Sequence, residues 1–192
     1  MQKIAIIQIS EAGREVASTL QRHLGAEMIQ RSEVGKRWKF FDAFVFIGAM
    51  GICVRTIAPY IKDKHEDPAV VCTDSLGQNV ISVLSGHVGG ANDLTRQVAA
   101  IIGGREISTT QSDNAGLWAL DTFEKRFDWP IASDIEDMNR CIFAFVNRHP
   151  TAEGTQRAAR VAQQLQPLRR RRRTRLLRRT PPCRACVNRP RA

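Results

Sequence analysis

Val80-Ile-Ser-Val-Leu-Ser-Gly-His87-Val-Gly-Gly-Ala-Asn92 is the stretch on which the fold turns. Residues 80–84 form a short, largely apolar run of the kind a buried strand requires. Glycines follow, and then Ala91, Leu94, Val98 and Ile101 or Ile102 recur on one face of a helix that Gly103 and Gly104 end. A strand that passes through a polar, glycine-rich turn into an amphipathic helix is one half of a β-α-β unit.

The same unit recurs on both sides. Residues 3–9, Lys-Ile-Ala-Ile-Ile-Gln-Ile, read as a strand buried on both faces. Ser10 is placed to cap the next helix, with Glu11 and Glu15 at its positive end, Val16, Leu20 and Leu24 on one face, and Gly25 as its stop. Residues 44–47 form another buried strand that runs into Gly48-Ala-Met50-Gly51 and a short helix, which Pro59 ends or kinks. Residues 69–73 are a strand separated from 80–84 by the turn-like Asp74-Ser-Leu-Gly77. A last strand over 106–110 delivers the chain to Ser112-Asp113-Asn114, where Asp113 is placed to cap a helix carrying Leu117, Leu120, Phe123 and Phe127. Strand and helix alternate, so the predicted fold class is α/β, a three-layer α/β/α arrangement with a mainly parallel sheet. In open sheets of this kind ligands collect beyond the carboxyl ends of the strands, where all three polar turns fall.

The net charge of +10 is not spread evenly. Residues 1–150 carry a net −2, whereas residues 151–192 hold 13 arginines, no lysine and one acid. Basicity that would point to nucleic acid therefore belongs to the tail and not to the core. The tail has no aromatic residue, contains the run 169–173 of consecutive arginines, and is not expected to fold alone. Its abrupt change in residue usage reads as translation in a shifted frame. The organisation expected is a core domain over 1–130, the start of a linker or middle region over 131–150, in which 134–146 forms a helix or strand, and an Arg-rich tail over 151–192. No apolar run is long enough to span a bilayer and no cleavable leader opens the chain, which implies a cytoplasmic protein with no membrane partner. Five cysteines, an odd number set mostly in apolar stretches, suit buried thiols of a reducing compartment and no disulfide framework. Cys183 and Cys186 have metal-ligand spacing but lack a second pair, so no metal is expected.

Three constellations have the residue types for chemistry. Gly48, Met50 and Gly51, with Arg55 one turn on, could hold an anion on backbone N–H groups; the same glycines also suit a tight turn with no ligand. Ser85, Gly86, His87, Gly89, Gly90 and Asn92 surround the best general acid or base in the chain, since imidazole titrates near neutrality. A structural histidine bonded to a carbonyl would use the same sequence. Thr109, Thr110, Ser112, Asp113 and Asn114 offer hydroxyl, carboxylate and amide groups at a strand end, as substrate ligands or as ordinary caps.

Residues 46–59, then 62–64 and 67–71, then 80–92, and finally Ile107-Ser-Thr-Thr110 and Asp113-Asn-Ala-Gly116-Leu, together resemble the N-terminal domain of the cobalt-precorrin 5A hydrolase family of anaerobic cobalamin biosynthesis. The resemblance implies a cobalt-carrying corrinoid substrate fringed with carboxylates, opening of its δ-lactone to give cobalt-precorrin 5B, and release of a two-carbon unit as acetaldehyde. It implies no protein-bound cofactor, the cobalt arriving with the substrate. On this reading His87 is the catalytic acid/base, the N–H groups around Gly89 and Gly90 receive the oxyanion, and Arg55 binds a carboxylate. Lys62 and Lys64 add positive charge, and the remaining polar residues of the three turns line the substrate. Full-length members resemble a three-part chain whose middle and C-terminal parts are not recognisable here, so a C-terminal hydrolase domain or other cobalamin-pathway enzymes are the expected partners. Two other readings stand beside it: a noncatalytic corrinoid-binding module of a fused pathway protein, and nonspecific nucleic-acid binding through the arginine tail.

Overall fold

The computed structural model describes residues 2–117, 120 and 135–147. The chain divides into two units, Met1–Asn114 and Ala115–Ala192. The first contains a six-stranded sheet in the order β2-β1-β3-β4-β5-β6. In the second, the described residues include the helix Ile135–Val146, α5. The arginine tail and the positions of Phe123 and Phe127 lie outside the described residues.

β1 (Ile4–Gln8), β3 (Ala43–Ile47) and β4 (Ala69–Thr73) form the centre of the sheet. Their side chains are buried on both faces, which is why they read as continuous apolar runs and not as alternating ones. β1 pairs in parallel with β3, and β3 with β4. The two-residue β2 (Glu27–Met28) adds a parallel edge beside β1 that the sequence did not signal. One face is covered by α1 (Arg14–Leu24) and α3 (Ala91–Ile102), whose Ala17, Leu20, Leu94 and Val98 pack on Ile4, Ile6, Val45 and Val71. The other face is covered by α2 (Met50–Ile57) and by the turn-rich segment after β2. There Trp38 stacks on Phe44 with ring centroids 5.2 Å apart, and Phe41 meets Phe44 edge-on. These layers are the α/β/α arrangement expected.

The capping of α1 differs from the sequence reading. Ser10 makes no side-chain cap bond, because a 3₁₀ turn, Glu11–Gly13, intervenes and α1 begins at Arg14. Gly25 does end it, in a left-handed conformation. Cys53 and Cys72 lie together as free, buried thiols, and the hydrogen bond to Cys72 together with burial pushes the Cys53 thiol up. Cys141, on α5, is disulfide-bonded.

The turn Asp74-Ser-Leu-Gly77 decides the topology. The Asp74 carboxylate accepts the N–H groups of Leu76, Gln78 and Asn79 at 2.9, 3.2 and 2.7 Å, and the Gly77 N–H closes on Asp74 O. The chain is thereby reversed, and β5 (Asn79–Leu84) pairs antiparallel with β4, Thr73 opposite Val80 and Val70 opposite Leu84. β6 (Arg105–Ile107) then pairs in parallel with β5. It is shorter than the 106–110 predicted, since the polar run from Ser108 onward leaves the sheet to form a side-chain network. Burial pushes the Asp74 carboxyl up, but the backbone N–H bonds outweigh it and hold the group below its usual range. A depressed folded pKa contributes stability above the ordinary carboxylate range that is lost as pH falls through the folded value. Asp74→Asn is therefore expected to lower the urea midpoint at neutral pH and to leave it nearly unchanged at strongly acid pH, where both side chains are neutral.

Candidate functional site

Because β5 and β6 run against β1, β3 and β4, the predicted site residues separate to opposite ends of the sheet. Gly48, Met50 and Gly51 follow β3 at one end, where the Gly48 N–H donates to Thr73 O. The Ser85–Asn92 turn and residues 108–114 follow β5 and β6 at the other. A five-residue strand, about 13 Å, lies between. The arrangement expected from sequence, with all three turns around one ligand, is not what the chain forms.

At the β3 end the glycines have local uses. A Cβ on Gly48 would stand 2.8 Å from Cβ of Ile9, so the missing side chain admits a neighbour of the chain itself. Gly48→Ala is expected to destabilise the protein by roughly 1–3 kcal/mol, read from a thermal melt, because the obstructing atom is a branch point that cannot swing aside. Arg55 is exposed, and its guanidinium folds back over Gly51, 3.3 Å from where a Cβ would be.

At the β5 end the backbone is tightly folded. Ser85 is buried with φ 57°, a left-handed conformation uncommon outside glycine, and its hydroxyl donates to Asp67 O at 3.0 Å. That bond brings the 62–67 loop, with Lys62 and Lys64, to the same end as His87. A Cβ on Gly89 would lie 2.5 Å from Cβ of Ser85, so only glycine permits this closure. The Gly90 N–H donates to His87 O, Ala91 N–H to Ser85 O, and Asn92 N–H to Gly86 O. The N–H groups of Ala91 and Asn92, at the start of α3, are thus taken up by the loop's own carbonyls, as is that of Gly90, one of those given the oxyanion role from sequence.

What the turn does present is His87. Its Nε2 lies 3.4 Å from Oδ2 of Asp113 and 3.3 Å from Oγ of Ser112, both on the single-turn helix α4 (Gln111–Asn114). His87, which the sequence leaves without a visible partner, has a carboxylate partner that only folding supplies. Asp113 is not a cap for a following helix, as the sequence suggested, but lies inside α4. Its Oδ2 accepts Nδ2 of Asn92 at 2.5 Å and the Thr110 hydroxyl at 2.9 Å. Thr110 Oγ1 also accepts the second Asn92 N–H at 2.9 Å and lies 3.0 Å from Ser108 Oγ. Asn92 Oδ1 accepts the Ser82 hydroxyl at 2.6 Å.

Several predicted substrate ligands are therefore structural. Asn92 is 2% exposed with its amide saturated, and the buried Ser85 hydroxyl is turned to Asp67. Gly86 shapes the loop around Asn92, whose Oδ1 would be 2.8 Å from a Cβ there. Thr109 and Asn114 are exposed outside the network. Ser82 and Ser108 were not singled out from sequence. Ser82 carried a signal, since it interrupts an apolar strand, and a polar group on a covered sheet face needs a partner. Chemically, a carboxylate held by two neutral donors and set against one imidazole nitrogen can orient that ring. Among the described residues no three His, Cys, Asp or Glu side chains gather as a metal site, and no helix is long and apolar enough to cross a membrane.

Comparison with known proteins bears on this unit above all. Residues 32–113 match the family model described as Cobalamin synthesis G N-terminal. A cobalt-precorrin-5A hydrolase of Priestia megaterium is 44% identical over 62% of this chain and 31% of its own length. The Salmonella typhimurium enzyme of the same name is 54% identical over 43% of this chain and 23% of its own. The crystal structure of a cobalamin biosynthesis protein G homolog from Sulfolobus solfataricus superposes with a TM-score of 0.53 at 30% identity, over 78% of this chain and 47% of that one. The chain thus spans less than half of each of these relatives. The sheet, the turns and the matched residues agree in making residues 32–113 of this chain similar to the N-terminal domain of the cobalamin synthesis G family.

Proposed function

We propose that this chain acts in anaerobic cobalamin biosynthesis on cobalt-precorrin 5A, opening its δ-lactone and releasing acetaldehyde, with His87 as the acid/base. The observation that carries the reading is the approach of His87 Nε2 to Asp113 at 3.4 Å, at the end of the sheet where Lys62 and Lys64 also lie. The names of the relatives support the substrate.

In this scheme Asp113 accepts the Nε2 proton, which places the imidazole lone pair on Nδ1. His87 takes a proton from water as the water oxygen adds to the lactone carbonyl. The ring C–O bond then breaks, leaving a carboxylate and a hydroxyl. Loss of the hydroxyl proton drives cleavage of the adjacent C–C bond: the two carbons leave as acetaldehyde, and the electron pair stays on the macrocycle until protonated. Apart from the substrate's cobalt, no cofactor takes part, and lysines of the 62–67 loop face the substrate carboxylates. The middle and C-terminal parts found in full-length relatives would complete the enclosure.

The test is anaerobic incubation of the purified chain with cobalt-precorrin 5A, following the visible spectrum and trapping acetaldehyde. Turnover yields acetaldehyde in proportion to protein. Because the chain spans 31% and 23% of the two hydrolases, a second reading is a binding part without turnover. It would give a spectral shift and no acetaldehyde.

A further inference from the structure

Asn92 links the two elements that bring His87 and Asp113 together. Its backbone N–H holds Gly86 O, in the loop that carries His87, at 3.0 Å. Its side-chain amide reaches to α4, donating to Asp113 Oδ2 and Thr110 Oγ1. The Ser82 hydroxyl on β5 occupies the amide oxygen, and since a carboxylate only accepts, the NH₂ end must face Asp113. A buried, saturated amide at this point has one orientation open to it. Together with the Thr110 hydroxyl it holds one oxygen of Asp113, the same Oδ2 that faces His87.

We infer that Asn92 is a positioning residue, which acts on His87 through Asp113 by holding the carboxylate oxygen that faces the imidazole; this rests on the acid/base reading of His87. Asp113 is the charged side chain that faces His87 from α4. Arg96 of α3, paired with Asp93 and Glu106, acts electrostatically on Asp113. Ser112 Oγ is the neutral neighbour.

The experiment is a double-mutant cycle read by NMR titration of the His87 imidazole in the full chain. The proteins are wild type, Asn92→Ala, Asp113→Asn and the double variant. If Asn92 works through the carboxylate, its removal moves the His87 midpoint by about half a pH unit or more when Asp113 is present, and by less than about 0.1 in the Asp113→Asn background. Ser82→Ala, which frees the amide oxygen but keeps the Asn92 side chain, should give a smaller shift with the same dependence on Asp113, and it carries the test if Asn92→Ala does not fold. Equal shifts in both backgrounds, or no shift in a folded Asn92 variant, would overturn the inference. The titration needs no substrate. A wild-type chain that releases no acetaldehyde refutes turnover by this chain while the cycle still decides the role of Asn92.

Discussion

Glutamine in place of His87 is expected to lower acetaldehyde release by about 10²–10⁴-fold while leaving the thermal melt within a degree or so of wild type. The side chain is only partly buried, and its Nε2 contacts to Ser112 and Asp113 are long, 3.3 and 3.4 Å, so little stability depends on them. Glutamine keeps a polar group near Ser112 and Asp113 but cannot take a proton near neutral pH. Substrate binding, read as a shift in the visible spectrum, should survive. Asp113→Asn should reduce turnover by about 10-fold or more, because the imidazole loses the carboxylate set against its Nε2. The two variants separate chemistry from architecture: if His87→Gln releases acetaldehyde at the wild-type rate with an unchanged pH profile, the histidine is structural and the catalytic assignment is wrong.

The second large effect belongs to the core. Phe44→Ala is expected to cost about 3–5 kcal/mol, enough to consume much of the stability of a domain this size. Phe44 is fully buried on the central strand β3, stacked on Trp38 and met edge-on by Phe41. Its removal leaves a void between a strand, which cannot move without breaking two ladders, and an indole whose Nε1 is directed at the buried Asp67 carboxylate, 3.4 Å away. Neither wall can collapse inward cheaply. Urea denaturation would show a lowered midpoint with a similar slope, and a loss below about 1 kcal/mol would mean that the aromatic layer is looser than its ring geometry implies.

Much of this architecture could be read directly from residue order. The apolar runs of β1, β3 and β4 are legible because a strand covered on both faces leaves no alternate position for a polar side chain. Gly25, Pro59 and Gly103 mark helix ends for reasons of backbone geometry that operate locally. The separation of a near-neutral core from an arginine tail needed only a charge count, and the motif spacing from residue 46 to residue 117 was enough to indicate the family.

What tertiary structure alone decided is how those pieces face one another. Asp74-Ser-Leu-Gly77 was visible as a turn, but its effect, reversing β5 and sending Gly48 and His87 to opposite ends, depends on which strand edge the returning chain pairs with. Local sequence does not encode that choice. The partner of His87 was equally hidden: Asp113 is 26 positions away, and it meets the ring because β6 pairs beside β5 and α4 turns back across the strand ends. Glycines and an asparagine that could serve a ligand or the chain itself were ambiguous for the same reason, since a missing Cβ or a free amide shows its use only when its neighbours are in place. In Gly48 the neighbour is Ile9, in Gly89 it is Ser85, and in Asn92 it is the Asp113 carboxylate that faces His87. Composition and periodicity specify which surfaces must be buried, and the pairing of distant segments specifies which polar groups are left to do chemistry.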